Sequence, residues 1–104
     1  MSRPTESFAS FRDFYPYYLG EHRHPVCRRL HYLGTTLVIL VPLAAVWTGN
    51  WMWLVALPFA GYIPAWAGHF FFEGNRPATF RHPLYSLVGD FRMYAEMLAG
   101  RMPF

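Results

Sequence analysis

A stretch of 43 residues without a single Asp, Glu, Lys or Arg runs from Leu30 to Phe72 and limits what this chain can fold into. Arg29 ends it on one side and Glu73 on the other. A Thr-Gly-Asn turn signal at 48–50 divides it into segments of about 18 and 22 residues, close to the roughly 20 that a helix needs to cross a bilayer. The sequence therefore predicts two apolar helices in an antiparallel hairpin.

The charges flank this stretch. Only 14% of the residues are charged, against about 25% in an average soluble domain, while 54% are hydrophobic. All nine basic residues are Arg, and they lie before residue 30 or after residue 75. This distribution is typical of the cytoplasmic flanks of a membrane hairpin. We therefore expect an integral membrane protein with both termini in the cytoplasm. A nucleic-acid binder is disfavoured, because the uncharged stretch would need a larger soluble core than 104 residues provide.

The hydrophobic pattern predicts an all-α fold in a single membrane domain. An aromatic segment precedes the first span, and apolar residues at helical spacing after the second span predict an amphipathic helix along the membrane or under the hairpin. The interfacial segment, the two spans and the amphipathic helix are expected at 5–24, 25–47, 51–73 and 83–99 of the domain 1–104.

Histidines gather at the open end of the hairpin. His31 lies about 18 residues before the turn and His69 about 20 after it, so at ~1.5 Å rise per residue both reach nearly the same depth. His22 precedes the first span, and a helix break at Pro25 frees it from the path of that helix. An ionisable residue at the end of an apolar span indicates function by default. We therefore expect His22, His31 and His69 to converge on one metal ion.

Two charged residues follow His69 closely. Glu73 shares a helix face with His69 if the helix continues that far, and could add an oxygen ligand. Several imidazoles with a carboxylate suit Fe(II), Zn or Mn, and the lone Cys27 leaves no thiolate cluster. The planar guanidinium of Arg76 suits a carboxylate. The structural alternative is an ordinary helix C-terminus with a turn at 74–75.

Two further histidines, His24 and His82, are each followed by Pro. For both we expect a capping or surface role. Each histidine taken alone is more often structural than a ligand; only the convergence of three at one depth favours a metal.

Several stretches carry a family resemblance: FYPYYLGEH at 14–22, RLHYLGT at 29–35, and His69-x-x-x-Glu73 followed by Asn75-Arg76-Pro77-Ala78. They resemble the 2-hydroxy fatty-acid dioxygenase-like family of small membrane proteins, of the fatty-acid α-oxidation type and formerly a domain of unknown function. The resemblance implies an enzyme that uses Fe(II) and O2 to shorten a 2-hydroxy fatty acid by one carbon, without 2-oxoglutarate. It implies iron ligation by His22, His31 and His69.

The resemblance also implies the remaining parts of the site and its surroundings. Glu73 matches the acidic position of the family, and Glu73 and Arg76 are the catalytic candidates, with Arg76 neutralising the substrate carboxylate. The expected partners are the lipid bilayer, the 2-hydroxy fatty acid and O2. Characterised members are longer, and a homodimer is one way for this short chain to enclose a lipid tail. Two other functions stay open: a bis-histidine haem protein with His31 and His69 as axial ligands, and a non-enzymatic membrane scaffold.

Overall fold

The computed structural model describes residues 8–104, and every regular element in that part of the chain is helical. The predicted all-α fold is confirmed. Residues 5–7 of the predicted interfacial segment lie outside the described residues. The four α-helices are α1 (Phe11–Gly20), α2 (Pro25–Thr48), α3 (Leu57–Gly68) and α4 (Pro83–Leu98). Short 3₁₀ turns cover Trp51–Ala56 and Ala78–Phe80, and a π-type turn covers His69–Glu73.

The hairpin has α2 as its first arm and the continuous segment Trp51–Glu73, here called the second arm, as its second. Gly49 ends α2 in the left-handed region, at φ 69°, which glycine adopts without steric cost. The side chain of Asn50 then accepts a hydrogen bond from the N–H of Met52 and starts the second arm. The turn thus forms where the Thr-Gly-Asn signal predicts it.

Both arms are long and apolar enough to cross a membrane, by length and composition. Large apolar side chains are exposed on their outward faces, among them Leu43, Trp47, Phe59 and Phe71. An apolar surface of this extent marks contact with lipid or with another protein. The two arms therefore indicate membrane insertion.

Glycines let the two arms approach closely at two levels. A Cβ atom on Gly34 would lie 2.9 Å from the backbone oxygen of Gly61, and one on Gly68 would lie 2.9 Å from Sγ of Cys27. Small residues allow such backbone approach between membrane helices. Because Cys27 lies one helical turn before His31, and Gly68 directly precedes His69, the second contact sets the distance between the arms at the level of these histidines.

α1 and α4 pack on each other at the open end of the hairpin. Their shared core is made of buried aromatic and methionine side chains: Phe14, Tyr15, Tyr18, Met93 and Met97. Two hydrogen bonds join the helices, because the phenol of Tyr15 donates to Glu96 and that of Tyr18 donates to Asp90. This pair of helices closes the end of the hairpin that carries the histidines.

α4 leaves its predicted apolar stripe exposed, and two members of the stripe, Leu87 and Phe91, also border a cavity between α4 and the arms. The exposed residues include Leu84, Leu87, Val88, Phe91 and Leu98, whereas Ser86, Gly89, Met93 and Met97 are buried. In water such a stripe turns inward. Lipid tails are as apolar as leucine, however, so beside a bilayer the stripe can face outward. This supports the expected position along the membrane and leaves polar residues of α4 facing the hairpin.

Candidate metal centre

Three buried imidazoles meet where the two arms and the end of α1 come together. Nε2 of His22 lies 3.0 Å from Nε2 of His31 and 2.9 Å from Nε2 of His69. One ring nitrogen of each histidine lies within 4.8 Å of the other two. Two donors that each lie about 2.1 Å from one ion are at most about 4.2 Å apart, and both distances from His22 meet this condition. The structure thus brings together the three histidines that the sequence singles out.

His22 lies just beyond α1, in the bend that leads to α2. Its Nδ1 is 2.6 Å from the carbonyl oxygen of Tyr18, and its ring stacks on the Tyr18 phenol with centroids 4.0 Å apart. Burial, together with the neighbouring imidazoles of His31 and His69, holds the pKa of His22 well below its usual value. The side chain is therefore neutral, which is the form of histidine that binds metals.

His31 lies in the second turn of α2, and its orientation follows from how that helix begins. Pro25 occupies the first helical position, and the His24 side chain accepts a hydrogen bond from the N–H of Val26. Nδ1 of His31 lies 2.9 Å from the carbonyl oxygen of Cys27, one turn earlier. This bond turns Nε2 toward the second arm.

His69 opens the π-type turn, and this wide turn brings Asn75 back onto it. The carbonyl oxygen of His69 accepts hydrogen bonds from the N–H groups of Gly74 and Asn75, at 2.8 and 3.2 Å. Oδ1 of Asn75 lies 2.7 Å from Nδ1 of His69, while its Nδ2 donates to the carbonyl oxygen of Glu21 at 3.2 Å. Because that carbonyl can only accept, the amide orientation is fixed and Oδ1 faces the imidazole.

These contacts assign one tautomer to all three histidines. Each Nδ1 faces an oxygen that can only accept, on Tyr18, Cys27 or Asn75, so each Nδ1 carries the proton. Each Nε2 is then an acceptor, and the two short Nε2–Nε2 contacts have no proton to share. A cation between the rings removes this conflict. Metal-ligating histidines usually donate their other N–H to a protein oxygen in this way, so the donor set fits a metal ion.

Two cavities adjoin the imidazoles. The smaller, of about 10 Å³, is lined by all three histidines and by Ser86 and Asp90, among others. The larger, of about 270 Å³, is mostly apolar and extends between the arms and α4. Four residues line both cavities: His31, Tyr62, Ala65 and Asp90. A ligand with its apolar tail in the larger cavity would therefore present its head to the histidines.

Comparison with protein families matches residues 8–102 to the family described as 2-hydroxy-palmitic acid dioxygenase Mpo1-like. This chain belongs to the Mpo1-like family. The match includes all three histidines and all four α-helices, and it confirms the resemblance carried by the sequence motifs. No match was found among curated proteins or among solved structures. The family name implies dioxygenase activity on a 2-hydroxy fatty acid, and the histidine cluster of the Mpo1-like chain fits a metal.

Glu73 of the Mpo1-like chain lies outside the histidine cluster. Its carboxylate accepts a hydrogen bond from the backbone N–H of His24 and thereby ties the end of the second arm to the start of α2. The i, i+4 spacing predicts that Glu73 lies beside His69 only if the α-helix continues. The α-helix instead gives way to a π-type turn at His69–Glu73. The Glu73 carboxylate therefore has a structural role, in its hydrogen bond with the N–H of His24.

Arg76 is exposed and lies beside Arg81 in a third cavity of about 370 Å³, which Tyr17 and Glu21 also line. It lines neither of the two cavities at the histidines. A carboxylate held by Arg76 would therefore lie in a different cavity from one that reaches the imidazoles.

The other two histidines differ from each other. His24 caps α2, as the sequence predicts. Within residues 8–104 the His82 side chain makes no capping hydrogen bond, so of its two expected roles capping is wrong. Its partly exposed ring packs against Phe8, Phe14 and Tyr17. A His-Pro pair in the sequence therefore does not tell whether the histidine caps the following helix or packs against aromatic side chains.

Three polar residues at the site are not among the candidates that the sequence offers. Asn75 belongs to the turn at 74–75 and to the family motif, but neither pattern predicts that its amide orients His69. Ser86 and Asp90 line the small cavity from α4. Their spacing of one helical turn was visible in the sequence, but on an amphipathic helix this pattern normally indicates a solvated face.

Proposed function

We propose that this chain is a membrane-embedded non-haem iron dioxygenase that shortens 2-hydroxy fatty acids by one carbon. The observation that carries the proposal is the set of three imidazoles, each with Nδ1 committed to a protein oxygen, at the head of an apolar cavity. The family name supports the substrate class. Imidazole suits both iron and zinc, but zinc has no redox chemistry, so Fe(II) fits an oxygenase better.

The proposed reaction balances without a separate reductant. A 2-hydroxy fatty acid, R–CH(OH)–COOH, and O2 give R–COOH, CO2 and H2O. The C1–C2 bond breaks, C1 leaves as CO2, and C2 is oxidised to the new carboxyl carbon. The substrate supplies all the electrons that O2 takes up, which agrees with a reaction that needs no 2-oxoglutarate.

The protein's own groups position the reactants. His22, His31 and His69 would hold the iron, and the iron when bound supplies the activation of O2. The carbonyl oxygens of Tyr18 and Cys27 and the amide of Asn75 keep the rings oriented. The larger cavity would hold the acyl chain and exclude water from the reacting carbons.

The charged residues named from the sequence have supporting roles in this proposal. Glu73 stabilises the junction between the second arm and α2 through His24. Arg76, with Arg81, would attract the substrate carboxylate before it enters the larger cavity. The arginines at the open end of the hairpin favour a cytoplasmic position for this end and for both termini.

The haem alternative requires a porphyrin between two axial imidazoles. The two proposed axial rings, of His31 and His69, meet edge to face with centroids only 4.9 Å apart. The His22 ring also lies 4.3 Å from that of His31 and 4.4 Å from that of His69. Such close packing supports a single ion rather than a porphyrin.

Anaerobic reconstitution with Fe(II) tests the proposal. Wild-type protein and the control variant His82→Ala, whose histidine lies outside the cluster and lines neither cavity at the imidazoles, should bind about one iron per chain. His69→Ala should bind little iron and should not consume O2 with 2-hydroxypalmitic acid. An active His69→Ala protein without iron would contradict the proposal, a Soret band would favour haem, and substoichiometric metal in the wild type would favour a scaffold.

A further inference from the structure

The inner face of α4 is polar where it meets the metal centre. Ser86 and Asp90 lie one helical turn apart on this face, and both line the small cavity with the three histidines. The outward face of the same helix carries the exposed apolar residues Leu84, Val88 and Leu98. Polar groups turned toward the hairpin need hydrogen-bond partners, because burial removes their water.

Ser86 has no partner within the described chain. The residue is 3% exposed, and its Oγ makes no hydrogen bond to any group of residues 8–104. Most buried hydroxyls in folded proteins are hydrogen-bonded. Because this hydroxyl borders the small cavity, a group that enters the cavity can supply the missing acceptor.

Asp90 has one oxygen committed and one available. Its Oδ1 accepts a hydrogen bond from the phenol of Tyr18, and the structure records no hydrogen bond to Oδ2 from residues 8–104. Asp90 also lines both cavities, as does His31. It therefore lies where the head of a lipid in the larger cavity would meet the imidazoles.

We propose that Ser86 and Asp90 recognise the head of the 2-hydroxy fatty acid, with Oγ of Ser86 donating to the carboxylate and Oδ2 of Asp90 accepting from the C2 hydroxyl. This inference rests on the proposed function. A donor and an acceptor one helical turn apart match a carboxylate and a hydroxyl on adjacent carbons. A fatty acid without the hydroxyl leaves the oxygen of Asp90 buried without a donor, which disfavours its binding. Asp90 thus selects 2-hydroxy acids over the common unsubstituted ones, and Ser86 binds both.

Binding measurements on Fe(II)-loaded, anaerobic protein separate the two roles. Wild-type protein should bind 2-hydroxypalmitic acid at least about tenfold more tightly than palmitic acid. Asp90→Asn keeps an oxygen for Tyr18 but replaces the free acceptor by a donor, so this ratio should fall to within about threefold. Ser86→Ala should weaken both acids by a similar factor and leave the ratio unchanged.

The control is Tyr15→Phe, which removes the other hydrogen bond between α1 and α4, to Glu96, at a residue that lines neither cavity at the histidines. It should lower the thermal stability and keep the wild-type ratio. If Asp90 acted only by joining the two helices, Tyr15→Phe would disturb the ratio as much as Asp90→Asn, and the inference would be wrong. An unchanged ratio in Asp90→Asn would also overturn it.

A ligand test serves if Asp90→Asn does not fold. 2-Fluoropalmitic acid has a substituent of similar size that cannot donate a hydrogen bond, so the wild type should bind it more weakly than the hydroxy acid; equal binding would overturn the inference. Turnover separates this inference from the proposed function. Oxidation of 2-hydroxypalmitic acid with no selectivity change in Asp90→Asn refutes only the inference, whereas selective binding without oxidation refutes only the dioxygenase proposal.

Discussion

Nε2 of His22 and Nε2 of His69 lie 2.9 Å apart, although 47 positions separate the two residues along the chain. His22 follows α1, whereas His69 begins the last turn of the second arm. Their proximity therefore places the end of α1 beside the end of the hairpin. The other nitrogen of each ring, Nδ1, makes a hydrogen bond to a protein oxygen. For His22 this is the carbonyl oxygen of Tyr18, and for His69 it is Oδ1 of Asn75.

The Asn75 side chain orients the imidazole of His69 through its Oδ1. Asn75→Ala should lower the iron affinity by about 10–100-fold, because it removes the acceptor that fixes the tautomer of His69. Anaerobic Fe(II) titration measures this. Asn50→Ala is the matched control, since Asn50 lies at the hairpin turn far from the histidines. Equal iron affinity in the two variants would contradict this role for Asn75.

Glu73 offers a test between ligand and structural contact. Glu73→Gln keeps an oxygen that can accept from the N–H of His24, so its iron content should equal that of the wild type. Glu73→Ala loses the contact, and its free energy of unfolding should fall by about 1–3 kcal/mol. Metal analysis and thermal unfolding in detergent check both. Loss of iron in Glu73→Gln would show that the carboxylate serves the metal centre directly.

The close contact at Gly68 predicts an effect of a single methyl group. In Gly68→Ala the new Cβ would lie 2.9 Å from Sγ and 3.0 Å from Cα of Cys27, so the arms must separate. We expect a loss of about 1–3 kcal/mol in stability and weaker iron binding. Gly20→Ala is the control, because no atom of residues 8–104 lies within 4 Å of its added Cβ. Thermal unfolding of both variants should show a lower midpoint for Gly68→Ala alone.

Asp90 gives the stability a pH dependence of definite sign. Burial raises the pKa of Asp90 from 3.8 to about 6, and the hydrogen bond from Tyr18 opposes this rise. Between pH 4 and 6 the folded chain therefore holds a proton that the unfolded chain has lost, and the contribution of Asp90 to stability decreases as the pH rises. This stabilisation by Asp90, of up to about 3 kcal/mol, is fully present below pH 4 and is lost above pH 6.

Comparison of wild type with Asp90→Asn isolates this effect, since His22 titrates in both. The unfolding midpoint of the wild type should fall relative to that of Asp90→Asn as the pH rises from 4 to 7. A constant difference over this range would show that the carboxyl is not perturbed by burial.

Arg76 is expected to act on substrate capture rather than on the reaction. Because it lines a cavity separate from the imidazoles, Arg76→Gln should raise KM several-fold and leave kcat and iron content near wild-type values. Steady-state O2 consumption measures both constants. Arg101→Gln, an exposed arginine near the C-terminus, is the control. A large fall in kcat for Arg76→Gln would place its guanidinium at the reacting atoms.

The sequence predicts the hairpin and the meeting of its histidines because both follow from simple spacing. The Thr-Gly-Asn turn lies nearly midway between His31 and His69, and an antiparallel pair of helices converts equal spacing into equal depth. His22 could be added because the helix break at Pro25 left it free to fold back.

The fine structure of the site could not be read in this way. The π-type turn at His69–Glu73 depends on the hydrogen bonds that the His69 carbonyl accepts from the N–H groups of Gly74 and Asn75. Local residue propensities do not predict such a turn. That turn decides that Asn75 supports His69 and that Glu73 binds the N–H of His24. The inward roles of Ser86 and Asp90 depend on which face of α4 meets lipid, which is a tertiary property.

The three ring-orienting bonds come from three separate stretches of chain: the end of α1, the first turns of α2 and the loop after the second arm. An ion bound by these rings would link the three stretches. The folded chain would then become more stable as the concentration of free metal rises. If the ion is iron, as proposed, scarce iron would leave this link unmade, and α1 would separate from the hairpin more readily. Cellular iron supply would then set how long each copy of the protein survives proteolysis, as well as how many copies are active.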